Sequence, residues 1–541
     1  MKRKNFIAGT SILGLSVAAA PLAGCNNASE KEKPQPTAKK PTDDFELNET
    51  TIDALQQMME SGKMSAHQIT ELYLKRIENI DKNGPTLRAV IELNPNALKE
   101  ADALDQERKN GKTRGPLHGI PILIKDNIDT ADMSTTAGSL ALEGFHPAQD
   151  AFIVKQLRAA GAVILGKTNL SEWANIRSEH SSSGWSSRGG QTKNPYMLDR
   201  SPVGSSSGSA AGVAANLCAV AVGSETDGSI TAPSSANALV GLKPTVGLVS
   251  RAGIIPISQS QDTAGPIART VKDAAILLGA LTGVDDNDSA TQNSKGKSFA
   301  DYTPYLKKDA LKGKRIGIEK DWKTGVLVLN ELYKNALNKL REAGAELVEI
   351  ELLKEVSKAE MAEFEVLMFE LKDGMNRYLA KANASVKSLS DVIAFNLKNE
   401  DRVMPTFKQE IFDAAEKTDG LQSKKYLDAK AACKKAITYI DALFARHKLD
   451  AISGITMGPT CPIDTIYGDH FGETTFTSPA AIAGYPHISV PCGLVYRLPV
   501  GLSFFSTAYN EPLLLGIAYA YEQISPGRTK PLFLKNFDDE E

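Results

Sequence analysis

The spacings that announce a metal or redox centre are missing from this chain. Its five cysteines, Cys25, Cys218, Cys433, Cys461 and Cys492, contain no C-x-x-C pair. That removes the zinc knuckle and the thioredoxin-type motif. The seven histidines are scattered, and no H-E-x-x-H occurs. Charge of one sign is also lacking: 62 Lys plus Arg stand against 65 Asp plus Glu, a formal net charge of -3. No basic stripe or block is left to bind nucleic acid by neutralising phosphates. There is no internal repeat and no linker-like break after residue 45. What is present, in 541 residues, is an ordinary globular composition of 42% hydrophobic and 23% charged residues with 42 Gly and 26 Pro. A disordered, collagen-like or coiled-coil chain is excluded.

The N-terminus reads as a targeting segment. Met1-Lys2-Arg3-Lys4 is basic, and Phe6 to Gly24 is apolar and Ala-rich, too short and too weakly hydrophobic for a comfortable membrane span. The run ends Leu22-Ala23-Gly24-Cys25, which resembles a bacterial lipoprotein signal. On that reading residues 1–24 are removed and Cys25 becomes the lipid-bearing N-terminus. A plain secretory signal is the alternative. Residues 25–45, rich in Lys, Pro, Glu and Thr, read as a flexible tether. The expected location is extracytoplasmic, with contact to a bacterial membrane through the N-terminal lipid only.

Globular patterning begins near Phe45, and residues 46–541 read as one large domain. Apolar residues recur at helical spacing in Thr51–Leu55, Ile69–Leu74 and Phe152–Ala160. Ile120–Ile124 and Ala162–Leu165 are short apolar runs that alternate with these helices, the pattern of an α/β sheet covered on both faces. Ser178–Arg200 reads as a Ser/Gly-rich loop, Ser209–Ala219 as a helix of small residues and Ala219–Val222 as a strand. Between Lys308 and Leu449 the composition turns to Lys, Glu, Ala and Leu, predicting a helical insertion interrupted by the strand-like Arg315–Ile318 and Glu346–Ile350. Gly/Pro-rich apolar segments such as Ile488–Pro491 come after it.

The chemistry concentrates in Ser201–Ala211 and Gly223–Ile230, two Gly/Ser loops joined by a helix and a strand. Such loops are ordinarily turns, and Ser207 or Ser209 would serve as a helix cap. Lys125 changes the reading. It ends an apolar strand and precedes Asp126-Asn127, which carries its amine into a desolvated place. Burial disfavours the charged form and makes a neutral lysine available as a base. The alternative for Lys125 is a strand-end lysine reaching out to water.

Together these segments resemble the amidase signature family, and within it the bacterial peptide amidases. The likeness covers most of residues 50–285 and is densest in Gly115–Asp129, Ser201–Ala211 and Gly223–Pro233. It continues through Gly241–Gly247 and Asp262–Pro266, with a looser echo at Ala483–His487 and Ser489–Gly493. The resemblance implies an α/β fold with a large mixed central β-sheet flanked by helices on both faces. It also implies a Ser–cis-Ser–Lys triad of Ser229 as nucleophile, Ser205 as bridge after a cis peptide with Gly204, and Lys125 as base. The oxyanion hole falls to backbone N–H groups of Thr226, Asp227 and Gly228. The reaction implied is hydrolysis of a linear amide, a C-terminal peptide carboxamide or a similar small amide, with release of ammonia and no metal or organic cofactor. Many members have Gly-Gly-Ser where this chain has Asp227-Gly228-Ser229, and an arginine at Thr231. Ser206 and Asp126 are candidates for supporting roles.

Competing patterns are weaker. Gly204–Gly208 satisfies G-x-S-x-G with Ser206 as nucleophile, but that motif follows a strand and Tyr196–Pro202 reads as loop. Ser294–Lys297 and Lys323–Gly325 mimic two penicillin-binding motifs without the S-D-N between them. An amidotransferase-type subunit shares the triad, yet works in the cytoplasm, against the signal segment. A surface lipoprotein that kept the fold for binding and lost catalysis is the remaining alternative, opposed by the presence of all three triad positions.

Overall fold

Eleven strands form the central sheet of the computed structural model, which describes residues 43–472 and 474–539. In chain order they are β1 (Val90–Leu93), β2 (Pro121–Lys125), β3 (Val163–Thr168), β4 (Val220–Glu225), β5 (Val240–Lys243), β6 (Thr263–Ala268), β7 (Arg315–Glu319), β8 (Glu346–Ile350), β9 (Ala451–Ile455), β10 (His487–Val495) and β11 (Leu498–Phe505). Across the sheet they run β1-β3-β2-β4-β6-β5-β10-β11-β9-β7-β8. The sheet is mixed: β3, β2 and β4 are parallel, as are β9, β7 and β8, while the pairings from β4 through β6, β5, β10 and β11 to β9 are antiparallel. Every residue of β2, β3 and β4 is buried. Burial on both faces is why these strands read as continuous apolar runs rather than alternating ones. The expected α/β architecture with helices against both faces is therefore what forms.

Helix limits follow local chemistry. Thr51 caps Ile52–Glu60 by accepting from Ala54 N, and Ser65 with Gln68 closes a capping box at the start of Ala66–Arg76. The small-residue helix spans Ser207–Ala214 rather than Ser209–Ala219. It stops because Asn216 turns left-handed (φ 58°), its side-chain oxygen accepting from Glu49 N at 2.9 Å. Neither Ser207 nor Ser209 caps it. Ser207 Oγ donates to Val203 O at 2.7 Å and Ser209 Oγ to Val222 O at 3.1 Å, so both pin the helix to its surroundings.

All eight residues of that helix are buried, and its small side chains let neighbouring backbone close in. A Cβ on Gly208 would meet the carbonyl oxygens of Ala89 and Asn169 well inside van der Waals contact, whereas one on Gly212 would meet only Leu123 Cδ1 at 3.4 Å and Ala89 Cβ at 4.0 Å. Gly208→Ala is expected to cost about 3 kcal/mol or more in thermal unfolding. Gly212→Ala should be neutral, or stabilising by up to about 1 kcal/mol from helix propensity.

The helical insertion is shorter than the composition suggested. Lys308–Ile350 supplies β7 and β8 to the sheet, with the helix Leu327–Glu342 between them. The purely helical part lies between β8 and β9, chiefly Glu360–Lys381, Leu389–Lys398, Glu410–Glu416 and Lys424–His447. The loop Ser178–Arg200 contains one small hairpin, Trp185–Ser186 against Gly190–Gln191. No helix among the described residues is long and apolar enough to cross a membrane. The targeting segment, Cys25 and the tether up to residue 42 lie outside the described residues.

Candidate active site

Two parallel strands deliver the site. Lys125 is the last residue of β2 and Glu225 the last of β4, and the two strands pair with Ile124 beside Val222. Their carboxyl ends open on one crevice, where α/β sheets commonly bind ligands. Lys125 is fully buried. Its Nζ lies within hydrogen-bond distance of Ser205 Oγ at 2.7 Å, of Ser224 O at 3.1 Å and of Ser224 Oγ at 3.0 Å. Desolvation pushes the amine down to about 7, only partly offset by the nearby carboxyls of Glu225 and Asp262. The surface-lysine alternative is excluded by this burial.

Ser205 follows a cis peptide bond with Gly204, as the resemblance implied. Ser206 is buried and committed to structure: its Oγ donates to Ser224 O at 3.1 Å and its N–H to Ser229 O at 3.1 Å. It has no strand before it and no free hydroxyl, which removes it as a nucleophile. Its backbone bond draws the Ser229 turn against the Ser205 loop. Ser229 Oγ has no hydrogen-bond partner among the described residues and stands in the wall of a cavity of about 300 Å³. Lys125 and Ser205 thus touch directly, while Ser205 and Ser229 are neighbours whose hydroxyls are not hydrogen-bonded to each other.

The turn before Ser229 is held from three sides. Glu225 accepts from Ile230 N at 2.7 Å and Thr231 N at 2.9 Å, fixing the start of the helix Thr231–Ala236. Thr226 Oγ1 donates to Asp262 at 2.6 Å, and the same carboxyl accepts from Ile257 N and Ser258 N at 2.8 Å each. Ser478 Oγ donates to Asp227 at 2.7 Å. Gly228 has φ 76°, a left-handed conformation suited to glycine. The backbone N–H groups of Thr226, Asp227 and Gly228 have no acceptor among the described residues. All three therefore remain available to a ligand.

Asp126 does not support Lys125. Its carboxylate accepts from Thr136 and Gly138 and lies 3.8 Å from both Lys167 and Arg188, organising the loop after β2. The partner that sequence reasoning missed is Ser224, with Asn127 Nδ2 donating to Ser224 Oγ at 2.9 Å. Ser224 sits inside the Gly/Ser stretch already singled out. Its contact became visible only once β2 and β4 were paired.

Ile176, Ile257, Leu367, Met457 and Phe471 give the cavity beside Ser229 an apolar wall. An adjoining cavity of about 170 Å³ reaches Ser205 and Ser224, with Thr226, Ala174 and Ile257 shared between the two. A buried lysine in contact with one serine, beside a second serine and backbone N–H groups without acceptors among the described residues, has the parts that acyl transfer requires.

Comparison with known proteins agrees. The Amidase family model matches residues 68–515. The chain belongs to the amidase signature family and is a hydrolase acting on carbon–nitrogen bonds. It stands close to bacterial peptide amidases: the native peptide amidase of Stenotrophomonas maltophilia is 50% identical, with 90% of this chain and 99% of that one covered at a TM-score of 0.85. A "Probable amidase" of Arabidopsis thaliana is 42% identical over 503 residues, 91% of this chain and 93% of the relative. A glutamyl-tRNA(Gln) amidotransferase polypeptide of Caldanaerobacter subterraneus is 35% identical over 508 residues, covering 90% of this chain and 99% of the relative.

Proposed function

We propose that the chain hydrolyses a C-terminal peptide carboxamide, or a closely related small amide, to the acid and ammonia, with Ser229 as nucleophile, Ser205 as proton bridge and Lys125 as base. The observation that carries this reading is the environment of Lys125 Nζ. A neutral amine has two hydrogens and one lone pair. Ser224 O can only accept, and Ser224 Oγ, already receiving Asn127 Nδ2, has a second lone pair to offer. Both hydrogens are thereby used, and the lone pair is left for the hydroxyl of Ser205.

As Ser229 Oγ attacks the amide carbon, its proton moves to Ser205 Oγ while the Ser205 proton moves to Lys125 Nζ. The oxyanion is met by N–H groups of Thr226, Asp227 and Gly228, each such donor contributing about 2.7–4 kcal/mol in the transition state. The tetrahedral adduct breaks its C–N bond, and the proton returns from Lys125 through Ser205 to the departing nitrogen. Water repeats the sequence on the acyl-enzyme, releasing the carboxylic acid and restoring Ser229. A 300 Å³ cleft is at the small end of ligand sites, and its apolar wall suits the acyl side rather than a charged group.

The peptide-amide assignment is supported by the 50% identity to a peptide amidase. Purified protein is expected to release ammonia from peptide amides in preference to amino-acid amides or fatty amides, read by mass spectrometry. Turnover of fatty amides alone overturns the substrate assignment, and turnover of no amide overturns the hydrolytic reading. The sequence at Leu22–Cys25 further supports lipid attachment at Cys25 and an extracytoplasmic site of action.

A further inference from the structure

One wall of the cavity beside Ser229 runs out into a loop. The chain leaves that wall at Met457 and returns to it at Thr475, and these two residues pair as a β-bridge with Gly458 N donating to Thr474 O at 3.2 Å. The outgoing limb is tied down where Ser201 N donates to Cys461 O and Ile463 N to Asp199 O, at 2.9 Å each. Asp464 Oδ1 then accepts from Ile466 N and Tyr467 N at 2.9 Å each, an Asx turn that sharpens the tip. The returning limb lies against the Ser178–Arg200 loop. Asp469 Oδ2 accepts at 3.0 Å from the N–H of Ser183, itself in the cavity wall. Gly468, at φ 79°, passes so close to His180 that a Cβ would stand 2.7 Å from its carbonyl oxygen. Phe471 re-enters the cavity wall, while the tip carries two large apolar side chains into solvent, Ile466 at 71% and Tyr467 at 68% exposure.

We propose that Ile466, Tyr467 and Phe471 form an apolar rim that holds the residue before the last one of a peptide amide. This rests on the reading of the Ser229 cavity as the acyl site, and it makes the loop a determinant of specificity. Single exposed apolar residues call for no explanation. Here two follow each other on a loop that starts in the cavity wall, ends in it and is pinned on both limbs. The occupant follows from size and continuity. A cleft of about 300 Å³ is at the small end of ligand sites. A peptide whose last residue fills it has to continue past the rim, where the loop offers apolar surface. Asp464 and Asp469 on the same loop make that place unfavourable to an acidic residue.

Three amides test the rim: acetyl-leucinamide, acetyl-phenylalanyl-leucinamide and acetyl-aspartyl-leucinamide. In wild type the phenylalanyl compound should exceed acetyl-leucinamide about tenfold in kcat/KM, which covering about 55 Å² of apolar surface supplies. The aspartyl compound should show no gain. In the double variant Ile466→Ser, Tyr467→Ser the phenylalanyl gain should fall to within about twofold. Because each gain is divided by the value for acetyl-leucinamide, a general loss of active enzyme cancels, so a merely structural role would leave the gain in place. A wild-type gain below twofold, or a gain retained by the double variant, overturns the rim. A second readout needs no turnover: calorimetric Kd values of the three amides in the Ser229→Ala protein should show the same tenfold preference, lost when the two rim substitutions are added. Equal binding of the three overturns the rim even in an enzyme that hydrolyses amides. The preference in a protein that hydrolyses none leaves the rim standing and the hydrolytic reading fallen.

Discussion

Ser229→Ala is expected to lower amide turnover by about 10⁵- to 10⁶-fold and to abolish labelling by a fluorophosphonate. The size follows from the proposed role of Ser229, since loss of the nucleophile itself costs nearly as much as loss of the whole catalytic set, whereas loss of a supporting member costs less. What remains is binding and the proposed oxyanion donors. Wild type should be labelled at Ser229, the hydroxyl that faces the cleft without a hydrogen-bond partner. Ser206 supplies the control, because it lies two residues from the Gly204 of the same loop and is fully buried with its hydroxyl engaged at Ser224. Ser206→Ala should still be labelled. Adduct on Ser206, or undiminished turnover by Ser229→Ala, would assign the wrong serine.

The same comparison separates catalysis from mere folding. Ser229 Oγ contributes no hydrogen bond to the described structure, so its removal leaves every contact of the turn in place. Thermal stability of Ser229→Ala should therefore stay within about 0.5 kcal/mol of wild type. An inactive variant with an unchanged melting curve isolates the chemical role of the hydroxyl.

How much was legible in the sequence differs between fold and site. The strands β2, β3 and β4 announce themselves as apolar runs because they are buried on both faces, and the helices Ile52–Glu60 and Ala66–Arg76 by their periodicity and caps. The end of the Ser207–Ala214 helix was not visible, since Asn216 stops it by a bond to Glu49 N, 167 residues away in sequence. The insertion was overdrawn because Lys308–Ile350 shares the charged, helix-forming composition of residues 351–449, yet its two strands find partners in the sheet. At the site, local sequence cannot rank the lysines. Lys125, Lys167 and Lys243 are all fully buried and all lie in strands. Lys167 Nζ is surrounded by Ile128 O, Ser134 O, Thr130 Oγ1 and Thr135 Oγ1, a set that fixes a loop. Among the described residues Lys243 donates only to Pro244 O, at 3.3 Å. Among the described residues, Lys125 is the one of the three whose amine meets Ser205. That distinction is made by strand pairing and loop packing, and only the motif resemblance anticipated it.

Lys125→Met should separate the two consequences of placing an amine in this site. Catalytically, loss of the base is expected to lower kcat by about 10²- to 10⁴-fold with little change in substrate binding. In wild type, kcat should rise with pH through about 7 as Lys125 loses its proton, and in Lys125→Met that limb should vanish. Near-normal turnover by the variant at pH 7 would exclude Lys125 as the base. Thermodynamically the sign is opposite. The folded-state value of Lys125 lies below its ordinary 10.5, so between pH 7 and 10.5 the unfolded chain binds more protons and stability rises with pH. The burden is therefore full below pH 7 and gone above about 10.5. Replacing the amine by an unbranched apolar side chain of similar length removes that burden, as exchange of buried charge for hydrophobe commonly does, by about 1–4 kcal/mol. Lys125→Met should melt higher than wild type at pH 6–7, with the gap closing as the pH approaches 10. A variant both slower and more stable, with both differences tied to the titration of one nitrogen, is the signature of a base kept neutral by burial; a uniform loss of stability at every pH would mean that the amine is held there for packing alone.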